Sequence, residues 1–169
     1  MLAIASRREV RDYRPDPIEP EVVERILDAG RLAGSSQNRQ PWTFLVPESR
    51  ERVERLAAAV YEPGNLLGAA LVVAISVRGK GPTSLDAGRA AQNMLLAAWS
   101  LGVGACPNGI SDMDAARAVL DVTDEDERLV IVLSFGYPAR PRDPERRSID
   151  EWSSRARRRP LVDVVRRLP

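Results

Sequence analysis

Three segments stand out from the hydrophobic pattern because their composition suits ligand binding rather than packing. The first covers residues 7–13 and reads RREVRDY. If this segment is helical, Arg7 and Arg11 are four residues apart and share one face. Because a guanidinium donates a planar pair of hydrogen bonds, two of them on one face can hold a phosphate dianion. A solvated helix end is the alternative interpretation.

The second and third segments are a polar loop and a glycine-rich run. Residues 34–42 (GSSQNRQPW) combine small hydroxyls with amides, and such groups can surround a hydroxylated chain or the edge of a heterocycle. An ordinary connecting turn would have a similar composition. Residues 102–109 (GVGACPNG) contain three glycines, which let backbone N–H groups approach a ligand closely. A helix stop followed by a short strand explains this run nearly as well.

The composition limits the chemistry that these segments can perform. Histidine is absent, which removes Ser-His and Cys-His nucleophile pairs and the commonest ligand of transition metals. We therefore expect neither hydrolysis nor a metal site. Cys106 is the only cysteine, and without a histidine we interpret it as a buried structural thiol rather than a nucleophile. Redox chemistry on a bound cofactor remains, since hydride transfer needs little from side chains.

Charge is distributed unevenly along the chain. Residues 140–169 contain ten arginines and five acidic residues, whereas residues 1–139 contain fifteen basic and nineteen acidic residues. A phosphate-bearing partner would suit this tail, and a solvated charged tail is the alternative. Lysine is almost absent, which disfavours a nucleic-acid surface. The longest apolar stretch, residues 66–77, is too short to span a membrane, so we expect a soluble, cytoplasmic protein.

Hydrophobic periodicity predicts the elements that must position these segments. The predicted helices cover residues 20–32, 49–61, 84–101 and 111–120, and the predicted strands cover residues 42–46, 71–77 and 129–135. Thr83 with Asp86 resembles a capping box for the third helix, and Ser111 can cap the fourth. No GxGxxG or P-loop motif follows a strand, which disfavours a doubly wound nucleotide fold. The order predicts a single α+β domain in which helices cover a sheet.

In this order and spacing, the three segments resemble the FMN-dependent nitroreductase family. The resemblance covers nearly the whole chain and rests on four motifs. These are residues 7–13 with Asp16-Pro17-Ile18, the loop of residues 35–42, the long helix from Asp86 to Gly104, and Gly136-Tyr137-Pro138. The family fold implied for residues 1–169 is a nitroreductase-like α/β sandwich. It has a mostly antiparallel central sheet flanked by helices and an extended C-terminal tail from about residue 139.

The resemblance implies a role in phosphate binding for five candidate residues. Arg7 would clamp the FMN phosphate together with Arg157 and Arg159. Arg8 and Glu9 would lie along the phosphate and the ribityl chain. Where the family usually has a serine, this chain has Glu9. A carboxylate beside a phosphate is unfavourable unless an arginine neutralises it, so the resemblance implies weaker FMN binding here.

The remaining candidate residues would contact the flavin ring. Arg11 would face the N1 and C2 carbonyl edge, where a fixed cation favours the reduced anion. The backbone around Asn108 and Gly109 would donate a hydrogen bond toward N5. Further contacts would come from Pro107, from Asn65 at the pyrimidine edge, and from Ser35, Ser36 and Asn38 of the opposite subunit.

The resemblance also implies a partner and a reaction. Members of this family are typically homodimers with FMN at the interface, and the tail of residues 139–169 would embrace the partner. NADPH or NADH would deliver hydride to FMN and leave, and an organic acceptor such as a nitroaromatic or a quinone would follow in a ping-pong reaction. Two alternatives stay open. FMN in this fold could serve reductive dehalogenation or flavin fragmentation, or the chain could bind flavin without turnover.

Overall fold

Helices alternate with strands along most of the chain. The computed structural model describes residues 1–168. Its strands are β1 (Trp42–Leu45), β2 (Leu71–Arg78), β3 (Gly104–Asn108) and β4 (Glu127–Gly136). Its helices are α1 (Leu2–Ser6), α2 (Pro20–Arg31), α3 (Arg50–Ala57), α4 (Gly64–Leu67), α5 (Thr83–Ser100), α6 (Met113–Val119), α7 (Ile149–Arg155) and α8 (Leu161–Val164). Single 3-10 turns cover Ser36–Asn38 and Pro144–Arg146.

The four strands form one antiparallel sheet in the order β1-β2-β4-β3. In β2, every residue is buried except the last, as the continuous apolar run of a central strand predicts. The glycine-rich run contains the short edge strand β3, which was one of its two interpretations. The predicted α+β class with a mostly antiparallel sheet is confirmed.

Alternate residues of the sheet face two separate hydrophobic clusters, because successive side chains of a strand point to opposite faces. Val73 and Ile75 pack with α2 and α5, whereas Val72 and Ala74 pack with α3, α4 and α6. Nine of the eighteen residues of α5 are buried, so it forms the centre of the first cluster. Helices therefore cover both faces of the sheet, as the predicted sandwich requires.

Two predicted helix caps are wrong. The carboxylate of Asp112, and not Ser111, caps α6 by accepting a backbone hydrogen bond at 3.0 Å. Pro82 occupies the N-cap of α5, so Thr83 lies inside the helix and its hydroxyl accepts a hydrogen bond from Arg128 at 2.8 Å. Serine and aspartate are about equally good caps, and local sequence therefore does not choose between adjacent candidates.

Two segments are less helical than the sequence suggests. The helix α3 ends at Ala57, four residues before its predicted end, and Val60 forms an antiparallel bridge with Ile110. Residues 7–13 follow α1 as extended chain. Arg7 and Arg11 therefore do not share a helix face.

The C-terminal tail folds back over the N-terminus of its own chain as far as α7. This helix packs against α1, and the Trp152 indole N–H donates to the Pro144 carbonyl at 2.8 Å. Residues 157–168 are exposed throughout. In the described part of the chain, no helix combines the length and apolar character that crossing a membrane requires.

Candidate functional site

The basic segment of residues 7–13 runs along the outer edge of β3. The Val10 N–H donates to the Ala105 carbonyl at 3.0 Å. A Cβ on Gly104 would lie 2.7 Å from the Val10 side chain, and a Cβ on Gly136 would lie 2.8 Å from the Tyr13 ring. Because these distances leave no room for a side chain, the two glycines permit the segment to dock on the sheet.

Arg7 and Glu9 form a half-buried ion pair within this segment. Arg7 Nη2 lies 2.9 Å from Glu9 Oε1. The other two atoms, Arg7 Nη1 and Glu9 Oε2, are buried and have no hydrogen-bond partner among residues 1–168. A buried polar group left unpaired costs about 1–3 kcal/mol. These atoms therefore mark a place where a ligand would relieve an unfavourable arrangement.

Arg8 connects the segment to the tail. Its Nη2 donates to the Trp152 carbonyl at 3.1 Å, and its guanidinium carbon lies 5.4 Å from the centre of the Trp152 ring. Burial lowers the pKa of Arg8, and four neighbouring guanidiniums lower it further. They belong to Arg158, Arg142, Arg7 and Arg155. The tail thus places additional positive charge beside the Arg7–Glu9 pair.

Sequence reasoning selected Arg157 and Arg159 from this tail. Both are exposed, and Arg159 Nη2 donates to the Asp163 carbonyl at 2.5 Å. Their contact with a phosphate stays a prediction. The three tail arginines whose charges reach Arg8 were missed, because ten similar arginines carry no local signal that separates them. Only the path of the tail over α1 decides which of them approach Arg8.

Arg11 lies at the exposed mouth of a small groove. The groove has a volume of about 190 Å³ and is also lined by Pro138, Arg140 and Arg142. Cys106, on the neighbouring strand β3, is 1% exposed. Burial raises the pKa of the Cys106 thiol, and the charge of Arg11 offsets only part of that rise. A thiol of this kind is a weak nucleophile, which favours the structural interpretation.

The end of β3 points a backbone donor toward the same edge. Along an edge strand, the backbone N–H and C=O groups of successive residues point alternately toward the neighbouring strand and toward the open edge. The Ala105 carbonyl points toward the open edge and accepts from the Val10 N–H. Pro107 and Gly109 follow on the outward side, where the missing N–H of a proline is tolerated. Gly109 is exposed, and its N–H has no acceptor among residues 1–168. The predicted backbone donor and the basic segment therefore lie along one edge.

Asn65 and Asn108 turn their side chains into the protein. The Asn65 amide donates to Asn108 Oδ1 at 2.8 Å, and the Asn108 amide donates to the Cys106 carbonyl at 2.9 Å and to Ser134 Oγ at 3.1 Å. Tyr13 Oη lies 3.0 Å from the same Ser134 oxygen, and burial raises the pKa of Tyr13. This network fixes the end of β3. The geometry thus gives no support to a contact between Asn65 and a pyrimidine edge.

The polar loop with Ser35, Ser36 and Asn38 lies at the opposite edge of the sheet, before β1. The order β1-β2-β4-β3 separates β1 from β3 by three inter-strand spacings of about 4.8 Å, or roughly 14 Å. Within one chain, the structure does not bring this loop to the basic segment. The loop is also strained, because Gln37, Asn38 and Gln40 have φ values of 53°, 54° and 48°, where residues other than glycine are uncommon.

Asp86 anchors this strained loop from the first turn of α5. It is 3% exposed, and each of its carboxylate oxygens accepts from the Ser36 N–H at 3.2 Å. Ser35 Oγ accepts from the Gln40 N–H at 2.8 Å. Sequence reasoning treated Asp86 only as part of a helix start. The sequence did carry a signal for its second role as the anchor of the loop, because Asp86 is a carboxylate on an otherwise apolar face of the helix.

Comparison with known proteins identifies the family that shares this architecture. The model of the nitroreductase family matches residues 4–81 and 77–137. The chain belongs to the nitroreductase family. The match includes the basic segment, the polar loop and all four strands of this nitroreductase-family chain, and it confirms the resemblance found in the sequence.

Individual relatives match most of the chain. An Archaeoglobus fulgidus protein with the provisional name NADH dehydrogenase/NAD(P)H nitroreductase is 35% identical over 153 residues, which are 83% of this chain and 86% of that protein. A structure from Desulfovibrio desulfuricans, provisionally described as a nitroreductase in complex with FMN, has a TM-score of 0.78 at 29% identity and covers 99% of this chain and 95% of that chain. A nitroreductase family protein from Clostridium difficile has a TM-score of 0.81 at 24% identity and covers 98% and 95% of the two chains. This last likeness concerns the fold alone.

The residues present suit FMN with one exception. The unpaired Arg7 Nη1 and the cations around Arg8 suit a phosphate. The Gly109 N–H suits an acceptor on a ring edge. Glu9 is the exception. Its unpaired Oε2 is a hydrogen-bond acceptor, and it cannot pair with a phosphate dianion, which also offers only acceptors.

Proposed function

We propose that this chain is an FMN-dependent oxidoreductase that takes hydride from NADPH or NADH and reduces an organic acceptor, such as a nitroaromatic or a quinone, in a ping-pong reaction. The observation that carries the proposal is the basic segment held on the edge of β3, with the buried Arg7 Nη1 unpaired and the Gly109 N–H exposed. Family membership and the FMN bound to the Desulfovibrio relative support the cofactor. FMN, when bound, supplies the hydride and electron transfer.

The protein's own contribution to this reaction is binding and electrostatics. Arg7, with the cations near Arg8, would hold the phosphate of FMN. Arg11 would supply positive charge to the N1 and C2 carbonyl edge, where a fixed cation favours the reduced anion. The Gly109 N–H would be the donor for N5. Because protons for the acceptor come from water, no side-chain acid or base is needed, in agreement with the absence of histidine.

A homodimer completes this proposed site. In one chain, Ser35, Ser36 and Asn38 lie at the opposite edge of the sheet from Arg7. A second copy, related by a two-fold axis, can present its polar loop to the basic segment of the first. Each flavin would then contact both subunits.

The tail supplies an apolar surface suited to such a dimer. Beyond α7, its exposed large hydrophobic residues in the described chain are Leu161, Val162, Val164, Val165 and Leu168. An apolar groove of about 1020 Å³ lies between α2 and β1, and its apolar lining includes Leu27, Leu32, Trp42 and Phe44. Because exposed apolar patches mark interaction sites, we place the tail of one copy on this groove of the other.

An absorbance spectrum tests the cofactor and the reaction together. The purified protein, or the protein reconstituted with FMN, should show oxidised-flavin bands that bleach on anaerobic addition of NADPH or NADH. The bands should return when a quinone or a nitroaromatic is added. A colourless protein that binds no added FMN would contradict the proposal. Flavin that no nicotinamide bleaches would instead favour binding without turnover.

Light scattering after size exclusion tests the dimer. The full-length chain should have twice the mass of one subunit. The double variant Val162→Asp with Val164→Asp should shift the equilibrium toward the monomer, since it places charges on the proposed contact. Met113→Asp is the matched control, because Met113 is also an exposed hydrophobic residue, 44% exposed, but lies on α6. A monomeric wild-type protein would contradict the dimer.

A further inference from the structure

The Arg7–Glu9 pair presents an unpaired donor and an unpaired acceptor rather than two donors. Arg7 Nη1 needs an acceptor, and Glu9 Oε2 needs a donor. A phosphate dianion offers acceptors only, whereas a ribityl chain offers hydroxyls that both donate and accept. The unpaired atoms therefore match a polyol better than they match a phosphate.

The Arg7–Glu9 pair also lowers the net positive charge at the place proposed for the phosphate. At 2.9 Å, Glu9 neutralises the guanidinium that the family resemblance assigns to the phosphate. A carboxylate also repels a phosphate held by the same arginine, and this repulsion persists near a protein surface, where the effective dielectric constant is about 20. The cations around Arg8 offset part of it. The phosphate thus contributes less to flavin binding than it would with an uncharged residue at position 9.

We propose that Glu9 determines flavin selectivity. It reduces the contribution of the phosphate to flavin affinity, so that the site discriminates weakly between FMN and riboflavin. This inference rests on the proposed flavin site. Glu9 orients Arg7, accepts a hydrogen bond from a ribityl hydroxyl, and opposes the phosphate. Removing its charge increases the preference for the phosphorylated flavin.

Binding measurements on charge-neutral variants test this inference without any turnover. Quenching of flavin fluorescence gives Kd for FMN and for riboflavin in the wild type, Glu9→Gln and Glu9→Ser. We expect both variants to raise the ratio of the riboflavin Kd to the FMN Kd at least tenfold. Glu54→Gln is the matched control, because Glu54 pairs with Arg50 at 2.8 Å on an exposed helix face, and its ratio should stay within twofold of the wild type. Thermal melting confirms that each variant is folded.

The outcomes separate this inference from the function on which it rests. A ratio that is unchanged or lower in both folded Glu9 variants, with FMN bound by all proteins, overturns the role of Glu9 and leaves the flavin enzyme standing. Failure of the wild type and of both variants to bind either flavin overturns the flavin site and this inference together. A wild type that binds riboflavin alone, with FMN binding gained by Glu9→Ser, is the extreme form of the expected result.

Discussion

Replacing Asp86 by alanine tests whether the loop before β1 is held in a strained shape that flavin binding needs. The substitution removes both oxygens that accept from the Ser36 N–H at 3.2 Å. A hydrogen bond to a charged group contributes about 1.5–3 kcal/mol. Gln37, Asn38 and Gln40 have left-handed backbone, which costs on the order of 1 kcal/mol or more for each. Without its anchor, the loop gains roughly 3 kcal/mol by relaxing.

We expect Asp86→Ala to weaken FMN binding by about a hundredfold, since binding must restore the strained loop at a cost of roughly 3 kcal/mol and each 1.4 kcal/mol is a factor of about ten. Asp86→Asn keeps a side-chain carbonyl as acceptor and should recover most of the affinity. Asp112→Ala is the matched control, because it also removes a buttressing carboxylate, bonded at 3.0 Å to a helix N–H, at a cost of about 1 kcal/mol. It should leave the Kd for FMN within twofold of the wild type. Fluorescence titration measures Kd, and urea unfolding measures stability.

Two results would refute this reasoning about the anchor. The first is a folded Asp86→Ala protein that binds FMN as tightly as the wild type. The second is an equal loss of FMN affinity in Asp112→Ala, which would assign the effect to general instability. The circular dichroism of bound flavin gives an independent reading, because a displaced loop changes the asymmetry around the ring while a purely global loss of stability does not.

Three further predictions concern the edge of β3. Arg7→Ala should raise the Kd for FMN at least tenfold by fluorescence titration, because it removes a charged donor and leaves Glu9 unpaired. Burial raises the pKa of Tyr13 above its usual 10.0, so the neutral phenol stabilises the fold fully below that pH and this stabilisation is lost as pH rises above it. Urea unfolding of the wild type should therefore show a steeper loss above pH 10.0 than Tyr13→Phe. Cys106 is 1% exposed, so a thiol reagent should react at least a hundredfold more slowly with native than with unfolded protein. In the Cys106→Ser variant, NADPH or NADH should still bleach the flavin bands.

The sheet and its covering helices could be predicted from the sequence because their signals are local. The run from Leu71 to Val77 is apolar except for Ser76, and all of it is buried in β2. The helix bounds depend on finer choices. Asp112 caps α6 beside the predicted Ser111, and these two residue types have similar capping strength. Pro82 occupies the N-cap position of α5 without a side-chain hydrogen bond, so the predicted Thr83 lies inside the helix.

The arrangement of the site depends on contacts between distant residues, and the sequence could predict only its parts. Whether residues 7–13 form a helix or extended chain is decided by Ala105, which accepts the Val10 N–H. The inward turn of Asn65 is decided in the same way by Asn108. Family resemblance pointed to the basic segment, but it could not supply these pairings.

The covered edge of β3 has a consequence for aggregation. An open strand edge is a template on which further chains can pair. On β3, that edge is occupied by the Val10 segment and interrupted by Pro107, which has no N–H to donate. The outer edge of β1 carries no further strand among residues 1–168. Edge pairing can therefore join two of these chains through β1, but it cannot continue from chain to chain into a fibril.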